Sequence, residues 1–335
     1  MRNFILMVVL SVSSLGCGKM NKENFDIDVR TAAMTSYCIG RNVIALPATF
    51  ALANESSGTF KLAGVADDAP EIWLSVTAHV TPAQFVKRLA ARRAELTRSP
   101  DKTMDVLHYE KSLSSLATLY RVNRIKDAYI SEINFLHGGN HIVATLNSYH
   151  GTFLDAEKQL LDFAGRVDIG NHPGQSAQRF CVGNVTVQGN FKHEEAKALF
   201  RDSRHYGTSF GIDFDSFRPD ERVSLLERTT GPDSLLTKFE VGHTVYRKRE
   251  LTVSGMRAQE WLASFKLGPT GNEKRFGFAM ETMRPSPGKF SPYLHLSFET
   301  SAARPGHIVD EHVMSDKDAI ALWDSVVRSI QPRRQ

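Results

Sequence analysis

The sequence predicts an α+β protein of two tandem, similar domains, each an antiparallel β-sheet with helices packed on one face. Three observations lead to this prediction. The chain of 335 residues is too long for one ordinary core and suits two domains of about 150 residues. Two helix-like segments with the same cap signature and apolar spacing recur at a fixed displacement. Between them, apolar and polar residues alternate as they do along half-buried strands.

The composition is that of an ordinary globular protein. Hydrophobic residues make up 41% of the chain and charged residues 23%, which is enough apolar material for buried cores. The formal net charge is +4, and the sequence has no long run of Lys and Arg. A nucleic-acid binder usually carries a denser basic patch, so we expect no nucleic-acid partner.

Residues 1–17 have the pattern of an export signal. A charged start at Met1-Arg2-Asn3 leads into an apolar run from Phe4 to Val12, and small residues follow up to Cys17. A membrane-spanning helix needs about 20 apolar residues. This run is about half as long, so a spanning helix is the weaker interpretation.

The end of this segment resembles a bacterial lipobox, in which a cysteine becomes acylated. The match is imperfect, because Ser14 stands where Leu is usual. We predict Cys17 as the lipid attachment site, with plain signal cleavage as the alternative. Gly18 follows rather than Asp, which by lipoprotein convention favours the outer membrane. Residues 18–34 are predicted to be a tether, and we expect the protein in the periplasm.

A short repeat opens each predicted domain. Tyr37-Cys38-Ile39-Gly40 recurs 143 positions later as Phe180-Cys181-Val182-Gly183, and each copy runs into a strand-like stretch. The two cysteines occupy matching places in separate domains, so we expect two buried thiols. A disulfide between them is the alternative, because exported proteins fold in oxidising compartments.

Each half also contains two predicted helices. Thr81-Pro82 begins the first, and Thr81 with Gln84 forms a capping box. Arg218-Pro219 is its predicted counterpart, without a box. The last helix of each half has a cap signature and an apolar stripe, and all seven matching pairs share a displacement of 163 residues. The pairs are Thr152 and Ser315, Asp155 and Asp318, Ala156 and Ala319, Leu160 and Trp323, Phe163 and Val326, Ala164 and Val327, and Val167 and Ile330.

Period-two stretches between these helices predict the strands. They run over 43–46, 72–76, 116–122, 129–135 and 142–146 in the first half, and over 185–187, 210–214, 239–245, 250–253, 275–280 and 293–298 in the second. Gly138-Gly139-Asn140 predicts a hairpin turn. The resulting domains are 35–170 and 179–335, joined by a linker at 171–178.

A search for chemistry finds one hydrolase-like pattern. Gly207-Thr208-Ser209-Phe210-Gly211 fits G-x-S-x-G, but that elbow needs a buried strand before the serine and a helix after it. Here the following residues alternate like a strand, so an esterase that uses Ser209 is only a third hypothesis. His137 and His141 lack a third ligand at metal-site spacing. We therefore predict no metal, no cofactor and no catalysis, and we assign Trp73, Trp261 and Trp323 to the core.

The chain resembles a known family over residues 35 to 332. The similarity rests on the two Cys-Gly strand starts, on Gly255-Met256-Arg257-Ala258-Gln259-Glu260, and on the closing helix from Ala321 to Ile330. These segments are similar to the type VI secretion lipase-immunity proteins of the fourth Tle-cognate class. One departure is Gln188-Gly189-Asn190, where a more apolar, Pro-containing stretch is expected.

The resemblance implies a function without catalysis. A member of this family has two similar lobes arranged like a claw, lies in the periplasm and grips a phospholipase effector, either locking its cap or covering its active-site entrance. An envelope lipoprotein that acts as a scaffold or binds lipid or cell-wall material is the alternative. Because partner contacts usually lie on loops, we name as candidate contact residues Asp67, Asp68, His137, Asn140, His141, Lys289 and Phe290.

Overall fold

The structure is a computed structural model. It describes residues 33–62, 70–98, 105–170, 178–204, 207–217, 223–230, 242–267, 273–283, 287–300 and 314–333. Several predicted features lie outside these ranges: the export signal with Cys17, all but the last two residues of the tether, linker residues 171–177, and both Asp67 and Asp68.

The first half of the chain forms nine strands and two helices. The strands are β1 (Met34–Ile39), β2 (Asn42–Pro47), β3 (Phe50–Leu62), β4 (Ile72–Thr77), β5 (Val106–Ser114), β6 (Ala117–Ile125), β7 (Ala128–His137), β8 (Asn140–Tyr149) and β9 (Val167–Ile169). The helices are α1 (Pro82–Arg98), which follows β4, and α2 (Phe153–Ala164), which follows β8.

The second half repeats this order. Its strands are β10 (Arg179–Val182), β11 (Val185–Gln188), β12 (Phe191–Asp202), β13 (Thr208–Asp215), β14 (His243–Val253), β15 (Met256–Leu267), β16 (Glu273–Thr282), β17 (Tyr293–Thr300) and β18 (Gln331–Pro332). Its helices are α3 (Leu225–Thr230) and α4 (Asp316–Ser329). The stretches predicted at 239–245 and 250–253 belong to one strand, β14, and residues 239–241 lie outside the described ranges.

Twelve strands form one antiparallel sheet in the order β14-β15-β16-β17-β13-β12-β3-β4-β8-β7-β6-β5. From the centre of the sheet outward, the first half contributes β3, β4, β8, β7, β6 and β5, and the second half contributes β12, β13, β17, β16, β15 and β14. The six strands of each half therefore follow in the same order. The two halves join where β3 pairs with β12, for example Gly58 with Ala196. The predicted antiparallel strand pairing is confirmed, whereas the prediction of a separate sheet in each half is wrong, because both halves contribute to this single sheet. The division into two domains stays a prediction, because the halves share one sheet.

The two remaining sheets are small, and each contains strands from both halves. β9, which follows α2, pairs with β11 of the second half. β18, which follows α4, pairs with β2 of the first half, so that Gln331 lies opposite Val43. Each half therefore completes the small sheet of the other, and the three-stranded orders are β1-β2-β18 and β10-β11-β9.

The expectation of two free thiols is wrong, because Cys38 and Cys181 form a disulfide with their Cα atoms 5.8 Å apart. The backbones of Gly40 and Cys181 also exchange two hydrogen bonds of 2.9 Å. Matching positions meet because the halves are related by an approximate two-fold arrangement about the β3–β12 junction. Equivalent residues close to such an axis are brought together rather than held apart.

The helices pack on both faces of the large sheet, so the prediction of helices on one face is wrong. α2 and α4 cover the core face, where the ring of Phe163 lies 5.2 Å from Phe60 and Trp323 lies 5.8 Å from Phe278. α1 and α3 cover the opposite face, which we call the open face. There Leu96 of α1 packs on a cluster that includes Tyr120, and α3 packs on β15.

The N-terminal caps of α1 and α3 are equivalent. In the predicted box of α1, Gln84 Oε1 accepts from the Thr81 N–H at 2.8 Å and Thr81 Oγ1 accepts from the Gln84 N–H at 3.3 Å. α3 has a box as well, in which Glu227 Oε2 accepts from the Ser224 N–H at 2.8 Å and Ser224 Oγ accepts from the Glu227 N–H at 3.4 Å. This box lies at a later position than the predicted start at 218–219, which lies outside the described ranges, so the expectation for that start stays a prediction.

The two last helices differ in their caps. Ser315 Oγ accepts from the Asp318 N–H at 3.2 Å, which confirms the predicted cap of α4. The corresponding cap of α2 is wrong, because the Thr152 side chain makes no bond to the first turn. Its hydroxyl instead accepts from the Tyr149 N–H at 3.1 Å and stabilises the preceding turn.

A buried ion pair also joins the halves. On the core face, Arg41 Nε and Nη2 donate to the two carboxylate oxygens of Glu194 at 2.7 and 2.5 Å. Both side chains are almost fully buried, with 5% and 0% exposure. A charge left alone at this depth is costly, because the low-dielectric surroundings replace water.

We expect the disulfide to contribute a large part of the free energy of unfolding of the oxidised protein. It closes a separation of 143 residues, and a cross-link over a loop of this length stabilises by about 4–5 kcal/mol on the loop-entropy scale. Urea unfolding with and without reductant measures the difference. Alkylation of the denatured, unreduced protein should leave Cys38 and Cys181 unmodified; labelling of both would contradict the assignment.

We expect Arg41→Met to lower the free energy of unfolding by about 3–5 kcal/mol, because Glu194 would remain buried without its partner. The matched control is Arg257→Met. Arg257 pairs with Glu250 at 3.1 Å, with both side chains exposed, so its removal should change stability by about 0–1 kcal/mol. Equal effects of the two substitutions in chemical denaturation would contradict this account.

Candidate partner-binding surface

The centre of the open face lies between α1 and α3. α1 packs on β5 and β7, and α3 packs on β15. Four of the strands between these regions, β4, β3, β12 and β13, turn exposed side chains outward; among them are Ser57, Ser75 and Lys197. We call the outward side of these four strands the open strip.

Cross-strand pairing shows which side chains share the open strip. One row crosses the strands as Trp73 opposite Thr59, Thr59 opposite Glu195, and Glu195 opposite Asp215. Directly paired residues of adjacent strands point to the same face. The next row is Ser75, Ser57, Lys197 and Asp213. The strip is therefore polar and charged, in contrast to the apolar core face.

Two large aromatic side chains stand out from this polar surface. Trp73 is 59% exposed and Phe217, which follows β13, is 60% exposed. The assignment of Trp73 to the core was wrong, whereas Trp261 and Trp323 are buried as predicted. Exposed aromatic side chains on an otherwise polar surface are typical anchors of protein–protein interfaces.

Three ionisable side chains meet at one end of the open strip. His193 Nδ1 lies 2.6 Å from Glu71 Oε1, and His193 Nε2 lies 3.1 Å from Asp215 Oδ1. We call these residues the carboxylate–histidine triad. Burial lowers the pKa of His193, but the hydrogen bonds to Asp215 and Glu71 outweigh it and raise the pKa to about 8. The ring of Phe217 lies 5.2 Å from the imidazole.

The turn predicted to contact a partner is mostly structural. His137 is exposed, but Asn140 and His141 are 4% and 7% exposed. Asn140 Nδ2 donates to the carbonyls of His137 and Gly138 within the turn. His141 Nε2 lies 3.1 Å from Asn134 Oδ1.

His141 is held neutral by its surroundings. Its ring packs 5.2 Å from that of Phe85 in α1. Burial and, secondarily, the nearby Arg88 guanidinium lower the pKa of His141 to about 4. The side chains of Asn140 and His141 thus stabilise the hairpin and the packing of α1, and they do not reach the surface.

The second predicted contact loop lies near the Arg41–Glu194 pair. Phe290 is 57% exposed, and its ring centroid is 5.9 Å from the Arg41 guanidinium. Lys289 Nζ donates to Asn190 Oδ1. Glu194 and its neighbour His193 point to opposite faces of β12, so this loop and the open strip are separate surfaces. Whether His137, Lys289 or Phe290 contacts a partner stays a prediction.

Ser209 does not occupy a nucleophile elbow. It lies within β13, where it pairs with Arg201 of β12 and Glu299 of β17. The chain continues as a strand instead of turning into a helix, which is what the elbow requires. Within the described residues, no group of three or more potential metal ligands is found. No helix of the described part of the chain is long and apolar enough to cross a membrane.

The open strip was not predicted from the sequence, although one sequence pattern indicated it. In Glu71-Ile72-Trp73-Leu74-Ser75, alternation places Trp73 on the side of Glu71 and Ser75 and opposite to the buried Ile72 and Leu74. The triad had no such signal, because its members come from three separate strands or strand ends.

Comparison with solved structures identifies the same fold in immunity proteins. The apo structure of the immunity protein TplEi of the type VI secretion system (T6SS) from Pseudomonas aeruginosa matches with a TM-score of 0.61 and 17% identity, over 91% of this chain and 99% of that chain. A chain of the Tle4–Tli4 complex matches with a TM-score of 0.62 and 18% identity, over 90% and 97%. TplEi in complex with "L" peptide gives 0.58 and 19%, over 90% and 99%.

The two comparisons of the sequence gave different results. A search of curated proteins gives no match. Residues 175–335 match the sequence model of the Tle cognate immunity protein 4 C-terminal domain. The resemblance drawn from the Cys-Gly strand starts and the closing helix is thereby confirmed, because residues 175–335 are similar to the C-terminal domain of the Tle cognate immunity protein 4 family.

Proposed function

We propose that this protein is an immunity protein that binds and inhibits a cognate lipase effector of a type VI secretion system. The match of residues 175–335 to the immunity-protein family carries the proposal. The shared fold with Tli4-type and TplEi-type proteins, which extends over about nine-tenths of the chain, supports it. Inhibition would follow from occupying the effector, without any reaction by this chain.

The open strip is the surface that we propose for the effector. β4 has 6 residues and β13 has 8, so four strands at the usual spacing offer an area of about 450 Å². A standard stable interface needs about 800 Å² on each partner. The flanking helices α1 and α3 are placed to supply the remainder, which fits a partner held between the two halves.

Tight binding is a physical requirement of this function. Protection at low protein concentration needs nanomolar affinity or better, which corresponds to about −12 kcal/mol. Exposed aromatic anchors such as Trp73 commonly contribute a large share of such an energy. When both halves of the protein bind one partner, contact by the first half raises the effective concentration for contact by the second.

We further propose that the protein acts in the periplasm, attached to the outer membrane through a lipid on Cys17. The export-signal pattern of residues 1–17 supports export. The Cys38–Cys181 disulfide is consistent with an oxidising compartment. Anchoring would keep the inhibitor close to the membrane that a lipase attacks.

We expect a stable one-to-one complex between the mature protein and the lipase encoded beside it. Size-exclusion chromatography with light scattering measures the complex, and hydrolysis of a phospholipid substrate measures inhibition. Turnover by the lipase should stop at equimolar immunity protein. Full lipase activity in excess immunity protein, or failure to form a complex, would contradict the proposal.

We expect Trp73→Ala to weaken effector binding by about 30-fold or more, because an aromatic anchor would be lost. Phe290→Ala is the matched comparison, since Phe290 is equally exposed but lies away from the open strip. Its affinity should stay within about two-fold of the unchanged protein. Loss of binding in Phe290→Ala with none in Trp73→Ala, measured by calorimetry, would assign the contact to the 289–290 loop instead.

A further inference from the structure

The geometry of the carboxylate–histidine triad defines the charge of His193. Each ring nitrogen of His193 lies within hydrogen-bond distance of a carboxylate oxygen, on Glu71 at 2.6 Å and on Asp215 at 3.1 Å. An ionised carboxylate only accepts hydrogen bonds, and a neutral imidazole has a single N–H. Both contacts are satisfied together only when the ring carries two protons and a positive charge.

The triad connects the two halves of the protein on the open face. Glu71 directly precedes β4 of the first half, whereas His193 and Asp215 lie on β12 and β13 of the second. The two carboxylate residues of the triad are close in sequence to the two exposed aromatic residues. Trp73 is two residues beyond Glu71 on the same face of the strand, and Phe217 is two residues beyond Asp215. Phe217 also contacts the triad directly, because its N–H donates to Asp215 Oδ1 at 2.8 Å, whereas Trp73 is held by pairing with the strands on both sides.

Charged groups of both signs lie near the carboxylate–histidine triad. Lys61 is its cross-strand neighbour on β3. Glu195 follows on β12 and pairs with Lys197 at 2.7 Å. Loss of the proton from His193 would remove the imidazole donor from one of the two carboxylates, although Asp215 Oδ1 would still accept from the Phe217 N–H, and it would make this end of the open strip more negative by one charge. Glu71 is the carboxylate that water reaches more easily, with 29% side-chain exposure against 14% for Asp215.

We propose that the carboxylate–histidine triad is a pH-sensitive clasp, which joins the two halves beside Trp73 and Phe217 when His193 is protonated and releases Glu71 when it is not. The proposal rests on the proposed function, because it describes how affinity at the same open strip is regulated. A lipase effector would be bound tightly at neutral and mildly acidic pH. Binding would weaken as the pH rises past the titration of His193.

The first test needs no partner. NMR titration of the histidine side chains should give a midpoint for His193 near pH 8 in the unchanged protein. Glu71→Gln and Asp215→Asn should each lower this midpoint, because each removes one of the carboxylates that favour the charged ring. A His193 midpoint at or below 6.5 in the unchanged protein, or one that neither substitution moves, would overturn the clasp.

The second test measures effector affinity between pH 6.5 and 9. The dissociation constant should rise about ten-fold across this range in the unchanged protein, because pH 9 lies about one pH unit above the His193 pKa of about 8 and tight binding would need the protonated ring. His193→Gln should bind more weakly at pH 6.5 and show little dependence on pH. His150→Gln, an exposed histidine on the turn before α2, is the control and should keep the full dependence.

The two tests separate the possible failures. Binding of equal strength at every pH, together with the expected His193 midpoint near pH 8, would overturn the proposed regulation and leave the proposed function intact. Absence of binding at every pH would overturn both, and the NMR midpoint would then show that the triad is only a structural link between the halves. A pH dependence that persists in His193→Gln would assign the effect to groups of the effector and overturn the clasp.

Discussion

The pairing of β3 with β12 is the contact on which the rest of this structure depends. It joins the two six-stranded halves into one sheet and places their equivalent elements around an approximate two-fold axis. The approach is close: a Cβ atom on Gly58 would lie 2.8 Å from Cγ2 of Val182 and 2.9 Å from the Glu195 carbonyl oxygen. Real Cβ atoms do not tolerate such distances, so glycine is needed where β10 crosses the junction.

Three further contacts reinforce this junction, and each has a different physical basis. The Cys38–Cys181 disulfide is covalent, the Arg41–Glu194 pair is a buried ionic contact on the core face, and the carboxylate–histidine triad is an ionic contact on the open face. His193 and Glu194 are adjacent in the sequence, and they reach opposite faces because side chains alternate along a strand. One dipeptide of β12 thereby ties both faces of the second half to the first.

The local features of this fold were readable from the sequence, and the long-range ones were not. Alternation predicted the strands that contain residues 72–76, 129–135 and 142–146, and the recurring caps indicated that the halves are alike. The prediction of helices on one face was wrong because strands such as β6 are buried on both faces. In β6, Leu119 packs in the main core, whereas Tyr120 packs under α1. A nearly unbroken apolar run is the pattern of a strand covered on both faces, and Leu119-Tyr120-Arg121-Val122 has only one charged residue.

The disulfide and the open strip depend on how the halves are arranged, which no local pattern encodes. Cys38 and Cys181 look independent when the repeats are imagined side by side, and they become partners only when a rotation axis passes between them. Likewise, Glu71 becomes a neighbour of His193 only through the β3–β12 pairing, whereas Asp215 reaches His193 through the pairing of β12 with β13 within the second half. Sequence reasoning therefore found the repeated unit correctly, and it missed the residues that depend on how two such units meet.

The exchange of β9 and β18 has a consequence for how the molecule assembles. Gln331 pairs with Val43, so the small sheet at the start of the first half closes only with residues that are synthesised 288 positions later (331 − 43). Contacts between such distant parts of a chain slow folding, because the loop must close before any pairing can stabilise it. We therefore expect the pairing of β2 with β18 to form late in folding, so that the small sheet of the first half is completed last.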